Sequence, residues 1–224
     1  MSVLVAKELS SVLGSRLTIG RINIGLLNRI IIDDLMLNDQ SGKELLKVGR
    51  LSAKFEILPL FNGRISIGNV QLFSFNANLE KPTPQATSNF QFVLDAFASK
   101  DTVKKKSNLD LRINSLLIRR GRVSYDVLSA ERTPGKFNPQ HIRLSNILAN
   151  ISLKALQSDS INAAIKRMSV EEDHSGFELK KLSLKIGANN KKMWIDNFAI
   201  DLPNTSLAMD TIRMESVSYT HLTL

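Results

Sequence analysis

The chain has 224 residues, of which 43% are hydrophobic and 23% are charged, so it is long enough and apolar enough to bury a core. Lys and Arg number 30 against 21 Asp and Glu, and the net charge of +9 favours an anionic partner such as nucleic acid, a lipid headgroup or an acidic protein. The lack of cysteine excludes a disulfide framework, thiol catalysis and a cysteine-ligated metal.

The chain begins with a helical pattern. Val5, Leu9 and Leu13 recur at helical spacing, and Gly14 is a natural stop. We therefore predict a short amphipathic helix within residues 1–14. Because no capping residue precedes it, we expect the sequence to be a fragment. We expect this helix to lie at a membrane surface, or to lead out of a transmembrane helix as the end of a membrane anchor that this sequence lacks. A helix that caps a sheet is the alternative.

The hydrophobic period then changes from 3.6 to 2, which is typical of strands. Leu17 and Ile19 alternate with polar residues, and the alternation resumes at Ile22 after a phase slip at Gly20–Arg21. Such a slip at glycine indicates a β-bulge. We predict a first β-meander over residues 15–80.

Residues 81–107 have a different composition. Pro82 and Pro84 prevent regular strand pairing, and Lys104–Lys106 lie in a polar stretch. Between them an apolar cluster predicts one short helix near residues 90–98. The segment is therefore expected to be a loop that carries a single helix.

Alternation returns in residues 108–215, where we predict a second β-meander. Arg119–Arg122 contains Gly121 and is expected to be a turn. Ile161–Val170 is expected to be a strand between its neighbours. The last segment, "SVSYTHLTL" at residues 216–224, breaks the pattern and is similar to translated sequencing-adapter read-through, so we expect it to be a non-native tail.

Strict alternation gives each strand one apolar face. That face can close against a second sheet as a sandwich core, or it can line an open groove in a single curved sheet. The pattern alone allows both. The candidate groove residues are Ile65, Ile67, Leu109, Leu111, Ile113, Val123, Tyr125, Leu182, Leu184 and Ile186.

The sequence contains no recognisable catalytic or metal-binding constellation. The three histidines are scattered, and no glycine-rich phosphate loop occurs. Asp33 and Asp34 are adjacent, and adjacent strand residues point to opposite faces, which prevents shared acid–base chemistry. We predict no enzyme activity, no metal, no cofactor and no small-molecule substrate.

The basic residues occur in small clusters with few aromatic residues nearby. Nucleic-acid-binding sheets interleave such charges with exposed aromatic rings for base stacking. Here only Tyr125 and Trp194 lie close to the clusters in sequence. We therefore predict no nucleic-acid partner, and expect solvated strand ends, with attraction to an anionic membrane surface as the next alternative.

One long stretch has a sequence pattern that is found in a known protein family: "LGSRLTIGRINIGLLNRIIIDDLMLNDQSGKELLKVGRLSAKFEILPLFNGRISIGNVQLFSFNANL". It resembles the N-terminal region of the translocation and assembly module TamB family, within the AsmA-like group. "NFQFVLDAFASKDT" and "NLDLRINSLLIRRGRVSYD" resemble the versions found in Bacteroidetes-type bacteria. The resemblance covers about residues 3–214, and its motifs are structural patterns without a catalytic signature.

The resemblance implies a mainly β fold: a long, curved antiparallel sheet with a taco-like open groove. It also implies a protein that is anchored in the inner membrane, with its body in the periplasm, and that supports outer-membrane biogenesis. Family members are thought to transport phospholipid along the groove, to assist assembly of outer-membrane β-barrels, or both. The implied partners are membrane phospholipid and an Omp85-type outer-membrane barrel protein.

Three other functions stay open at this point. The first is a closed β-sandwich that binds a protein or a glycan as a structural module. An enzyme and a nucleic-acid binder are the others, and the residues give neither of them positive support.

Overall fold

A computed structural model describes residues 2–25, 28–56, 65–98, 109–110, 114–157, 160–189 and 192–215. Over these residues the chain is mainly β, as predicted. The helices are α1 (Ser2–Leu13) and α2 (Gln91–Ala98). The strands are β1 (Leu17–Gly25), β2 (Arg29–Asn38), β3 (Glu44–Glu56), β4 (Ile65–Lys81), β5 (Leu109–Asp110), β6 (Ser115–Val127), β7 (His141–Gln157), β8 (Ser160–Glu172), β9 (Phe177–Asn189), β10 (Lys192–Asp201) and β11 (Ser206–Glu215).

The strands form one sheet in the order β1-β2-β3-β4-β6-β7-β8-β9-β10-β11, and the short β5 pairs with β4. The described part of the chain shows no pairing between β1 and β11, so the sheet is open. The alternative of two packed sheets does not occur among these strands. The predicted helices near the N-terminus and near residues 90–98 are confirmed, as is the strand at Ile161–Val170. The predicted tail, 216–224, lies outside the described residues.

One junction differs from the antiparallel pairing that we predicted. Strand β6 runs parallel to β4, from Asn69 opposite Ser115 to Lys81 opposite Val127. Tight turns join antiparallel neighbours, whereas parallel neighbours need a long crossover. The chain between β4 and β6 includes α2, so it supplies such a crossover and joins the two meanders into one sheet.

Helices α1 and α2 cover the corner of the sheet near β1. Helix α1 ends at Gly14, whose φ of 62° suits glycine at a helix C-terminus. The Ser10 hydroxyl accepts a hydrogen bond from the Leu17 amide at 2.9 Å, which ties the helix end to the first strand. Ala6 lies in a buried cluster with Leu17 and other apolar side chains of β1–β3, and α2 packs on the same cluster.

A line of irregular backbone crosses β1–β7 at one level, and we name it the crease. It consists of Gly20, Asp34, Gly49, Ser74, Arg120 and Asn146, and four of these residues have positive φ values between 50° and 56°. The phase slip predicted at Gly20 lies on this line. The β-bulge predicted there is wrong, because the β1–β2 register is the same on both sides, with Ile19 opposite Leu35 and Arg21 opposite Asp33.

The predicted turn at Arg119–Arg122 is wrong, because these residues lie inside the continuous strand β6. Gly121 is required there for packing. A Cβ atom at Gly121 would lie 2.8 Å from Cζ of Phe75, whose ring lies directly over this glycine. The glycine therefore makes room for an aromatic ring from β4.

Candidate functional site

One face of the sheet carries an unbroken apolar row. Residues directly opposite each other in neighbouring strands share a face, so the register defines which side chains line up. The row takes one residue from each strand on the main path: Ile22, Ile32, Leu51, Leu72, Ile118, Ala149, Met168, Leu182, Ile200 and Leu207. We name this side of the sheet the apolar face.

A second row confirms that the face is broad. It runs beside the first, and its members are Ile24, Ile30, Ala53, Val70, Leu116, Ile151, Ile165 and Leu184. The opposite side, the polar face, alternates with it and includes Arg50, Gln71, Arg119, Asn150 and Arg167. The sheet is therefore amphipathic across its full width.

The crease keeps the apolar residues of β2 on this face. In β2, Ile32 and Leu35 are three positions apart, and strict alternation would place them on opposite faces. Asp34 lies between them with a φ of 55°, and both Ile32 and Leu37 pack in one cluster. The positive φ at Asp34 thus corrects the phase of the strand.

The exposure of the apolar face varies along the sheet. The helices cover its corner at Leu17 and Ile19, and Val48 in β3 is fully buried, whereas Ile24 in β1 is 75% exposed. Near the β11 edge, Leu207 is 50% exposed, Met209 37% and Met214 60%. Of the described elements, only α1 and α2 pack over the sheet. The apolar face is therefore open at the β10–β11 side of the described sheet.

The predicted groove residues fall into three groups. Val123, Tyr125, Leu182, Leu184 and Ile186 lie on the apolar face, in β6 and β9. Ile65, Ile67 and Leu109 lie in β4 and β5, where the structure describes the backbone alone, and Leu111 and Ile113 lie outside the described residues.

The exposed residues at the open side were missed as candidates. Leu207 and Met209 follow the same two-residue period as the rest, so sequence gives no sign of their exposure. Their exposure depends on their position in the last strand of the sheet order.

Two buried carboxylates hold turns at the end of the sheet. Asp39 Oδ1 accepts hydrogen bonds from the amides of Ser41 and Lys43, each at 2.9 Å. Glu172 is 2% exposed, and its Oε2 accepts from the Ser175 amide at 2.7 Å. Burial would raise the pKa of each carboxyl, but these hydrogen bonds outweigh it and lower both pKa values. Both groups thus have structural roles in β-turns.

The buried His141 also has its partners within the chain. Its Nδ1 lies 2.8 Å from Oδ1 of Asp126, and its Nε2 lies 3.0 Å from the carbonyl oxygen of Ala130. Both ring nitrogens therefore have hydrogen-bond partners within the chain. Arg132 pairs with the same Asp126 oxygen at 3.1 Å, so the cluster fixes the loop after β6.

Within the described ranges, no group of three or more His, Asp or Glu side chains could hold a metal ion. The same ranges contain no helix with the length and apolarity needed to cross a bilayer. Neither a protein-family model nor a curated protein matches the chain.

Proposed function

We propose that this chain holds phospholipid tails on its apolar face and thereby supports outer-membrane biogenesis. The single observation that carries this proposal is the apolar row from Ile22 to Leu207, which crosses every strand of the main path without a polar residue. A sheet face of this kind in water needs an apolar cover, and lipid tails are one such cover.

The dimensions support this function. Ten neighbouring strands at about 4.8 Å spacing make the face roughly 43 Å wide along the sheet. The hydrocarbon of one membrane leaflet is about 15 Å thick, half of a core of about 30 Å. The face is thus wider than one acyl chain is long, and each methylene that leaves water contributes about 0.8 kcal/mol.

The contact between a tail and this face has no preferred direction, because dispersion and hydrophobic burial are not directional. A tail can therefore move along the row with little change in free energy. Such a conduit requires continuity of apolar surface and no individual reactive residue. This requirement fits a site that consists of Ile, Leu, Val, Ala and Met side chains.

Location and partners follow from the resemblance to the TamB family. We propose a body in the periplasm that is anchored in the inner membrane through a segment preceding α1, with an Omp85-type barrel protein as partner. Assembly of outer-membrane β-barrels is the second candidate function. Among the described strands β11 has a neighbour on one side only, which favours this function because an exposed strand edge can template another strand.

We expect the double substitution Leu207→Asp and Met209→Asp to reduce the phospholipid that co-purifies with the protein at least fivefold. Both side chains are partly exposed on the apolar face, so the carboxylates should repel lipid tails without disrupting a packed core. Quantitative mass spectrometry of extracted lipid measures the effect. The matched control is Thr211→Asp in the same strand, opposite Asp196 on the polar face. Equal lipid in all three proteins contradicts the proposal.

A further inference from the structure

The polar face contains a hollow where the crease crosses β1–β6. Its volume is about 460 Å³, and side chains from five strands line it. We name it the arginine hollow, and its lining residues are Arg21, Asp33, Asp34, Gly49, Arg50, Phe73, Ser74 and Arg120. It lies on the opposite side of the sheet from the apolar face, so the lipid proposal leaves its role unexplained.

The crease shapes this hollow. Asp34, Ser74 and Arg120 all have positive φ, and they lie in β2, β4 and β6 at the same level of the sheet. A Cβ atom at Gly49 would lie 3.3 Å from Cβ of Ser74, so the lack of a side chain at Gly49 leaves space at the base of the hollow. Asp33 and Asp34 both line it, although adjacent strand residues were expected on opposite faces. The positive φ of Asp34 breaks that alternation and explains the difference.

One arginine in the hollow is fixed by an ion pair. Nε of Arg50 donates to Oδ1 of Asp33 at 2.7 Å. This hydrogen bond lowers the pKa of Asp33 and raises that of Arg50, so both groups are charged at neutral pH. The pair therefore contributes a guanidinium of defined position and no net charge.

The other two arginines have no such partner. Arg21 and Arg120 reach the hollow from β1 and β6, and no described side chain forms an ion pair or a hydrogen bond with either guanidinium. With Asp34 as the remaining carboxylate, the hollow keeps one net positive charge. Arg119 and Arg122 are exposed nearby in β6 and add to the positive potential.

We propose that the arginine hollow binds a phosphate group. Arginines from three different strands line it, and Ser74 carries a hydroxyl group that can donate a further hydrogen bond. A phosphate offers three acceptor oxygens in three directions, whereas a carboxylate has two oxygens in one plane, which one arginine fork can satisfy. The phosphate group belongs either to a free phosphorylated solute or to a lipid headgroup.

Isothermal titration with inorganic phosphate tests this site. We expect the double variant Arg21→Gln and Arg120→Asn to bind phosphate at least tenfold more weakly than the unmodified chain. Asparagine suits position 120 because it tolerates positive φ. The matched control, Arg167→Gln with Arg213→Gln, removes the same charge from the polar face outside the hollow, and we expect less than a twofold change.

Co-sedimentation with vesicles then identifies the source of the phosphate. Binding to phosphatidic acid vesicles that depends on Arg21 and Arg120, and that free phosphate displaces, assigns the site to a lipid headgroup. Phosphate binding without vesicle binding assigns it to a soluble ligand. Absence of phosphate binding by the unmodified chain, or equal weakening in both double variants, overturns the proposal. Neither result affects the lipid-tail measurement, which concerns the other face.

Discussion

Replacement of Glu172 by glutamine is expected to lower the free energy of unfolding near neutral pH by about 3 kcal/mol. Burial alone would raise the pKa of this carboxyl, but hydrogen bonds from Ser175, Arg143 and His174 outweigh it and lower the pKa to about 2, from an ordinary value of 4.5. Each pKa unit corresponds to about 1.4 kcal/mol. Glutamine also turns an amide group toward donors, and a buried donor without an acceptor is costly.

The sign of the pH dependence follows from the lowered pKa. The unfolded chain takes up a proton at Glu172 first as pH falls, so this group stabilises the fold fully above pH 4.5 and loses its effect between 4.5 and about 2. Urea unfolding over that range measures it. The unmodified protein should lose stability more steeply than the variant.

Glu171→Gln is the matched control for Glu172. Glu171 is exposed and bonds Asn146 at 2.8 Å, so we expect a change below about 1 kcal/mol. If the Glu172 and Glu171 variants unfold alike at every pH, the buried carboxylate does not hold the β8–β9 turn.

The substitution Gly121→Ala is expected to cost about 1–3 kcal/mol, because its methyl group would overlap the ring of Phe75. Backbone strain does not contribute to this cost, because the φ of Gly121 is not positive. Chemical denaturation measures the loss. In a Phe75→Leu background the same substitution should cost much less, and a double-mutant cycle gives the coupling.

Gly25→Ala serves as the comparison for Gly121. A Cβ atom at Gly25 would meet the flexible end of the Ile31 side chain at 3.2 Å, so a small shift relieves the contact and the expected cost is below about 1 kcal/mol. If Gly121→Ala lowers the free energy of unfolding no more than Gly25→Ala does, Phe75 does not pack closely on β6.

The alternation of apolar and polar residues predicted the features that depend on neighbouring positions in the chain. The two-residue period predicted the strands and their apolar side, and the slip at Gly20 located a break in the alternation, although the register there contains no bulge. It failed at Arg119–Arg122, because the partner that explains Gly121 is Phe75 in another strand. Periodicity also does not state which strands become neighbours.

The same limit applies to the sites. The parallel junction between β4 and β6 was not predictable from alternation, and this junction brings Arg120 beside Ser74. The arginine hollow therefore had no signal in the sequence beyond scattered basic residues. The apolar face was predictable because every strand carries it, whereas its open side depends on the order of strands.

The most direct measurement is photo-crosslinking from the apolar face. A photoreactive amino acid at Met209, on the open side of the face, is compared with one at Arg213, on the polar face of the same strand, in protein incubated with phospholipid vesicles. We predict a phospholipid adduct at position 209 and none at position 213. If the protein assists barrel assembly without holding lipid, no adduct is expected at either position. Absence of an adduct at 209, or equal adducts at both positions, contradicts a lipid-holding face.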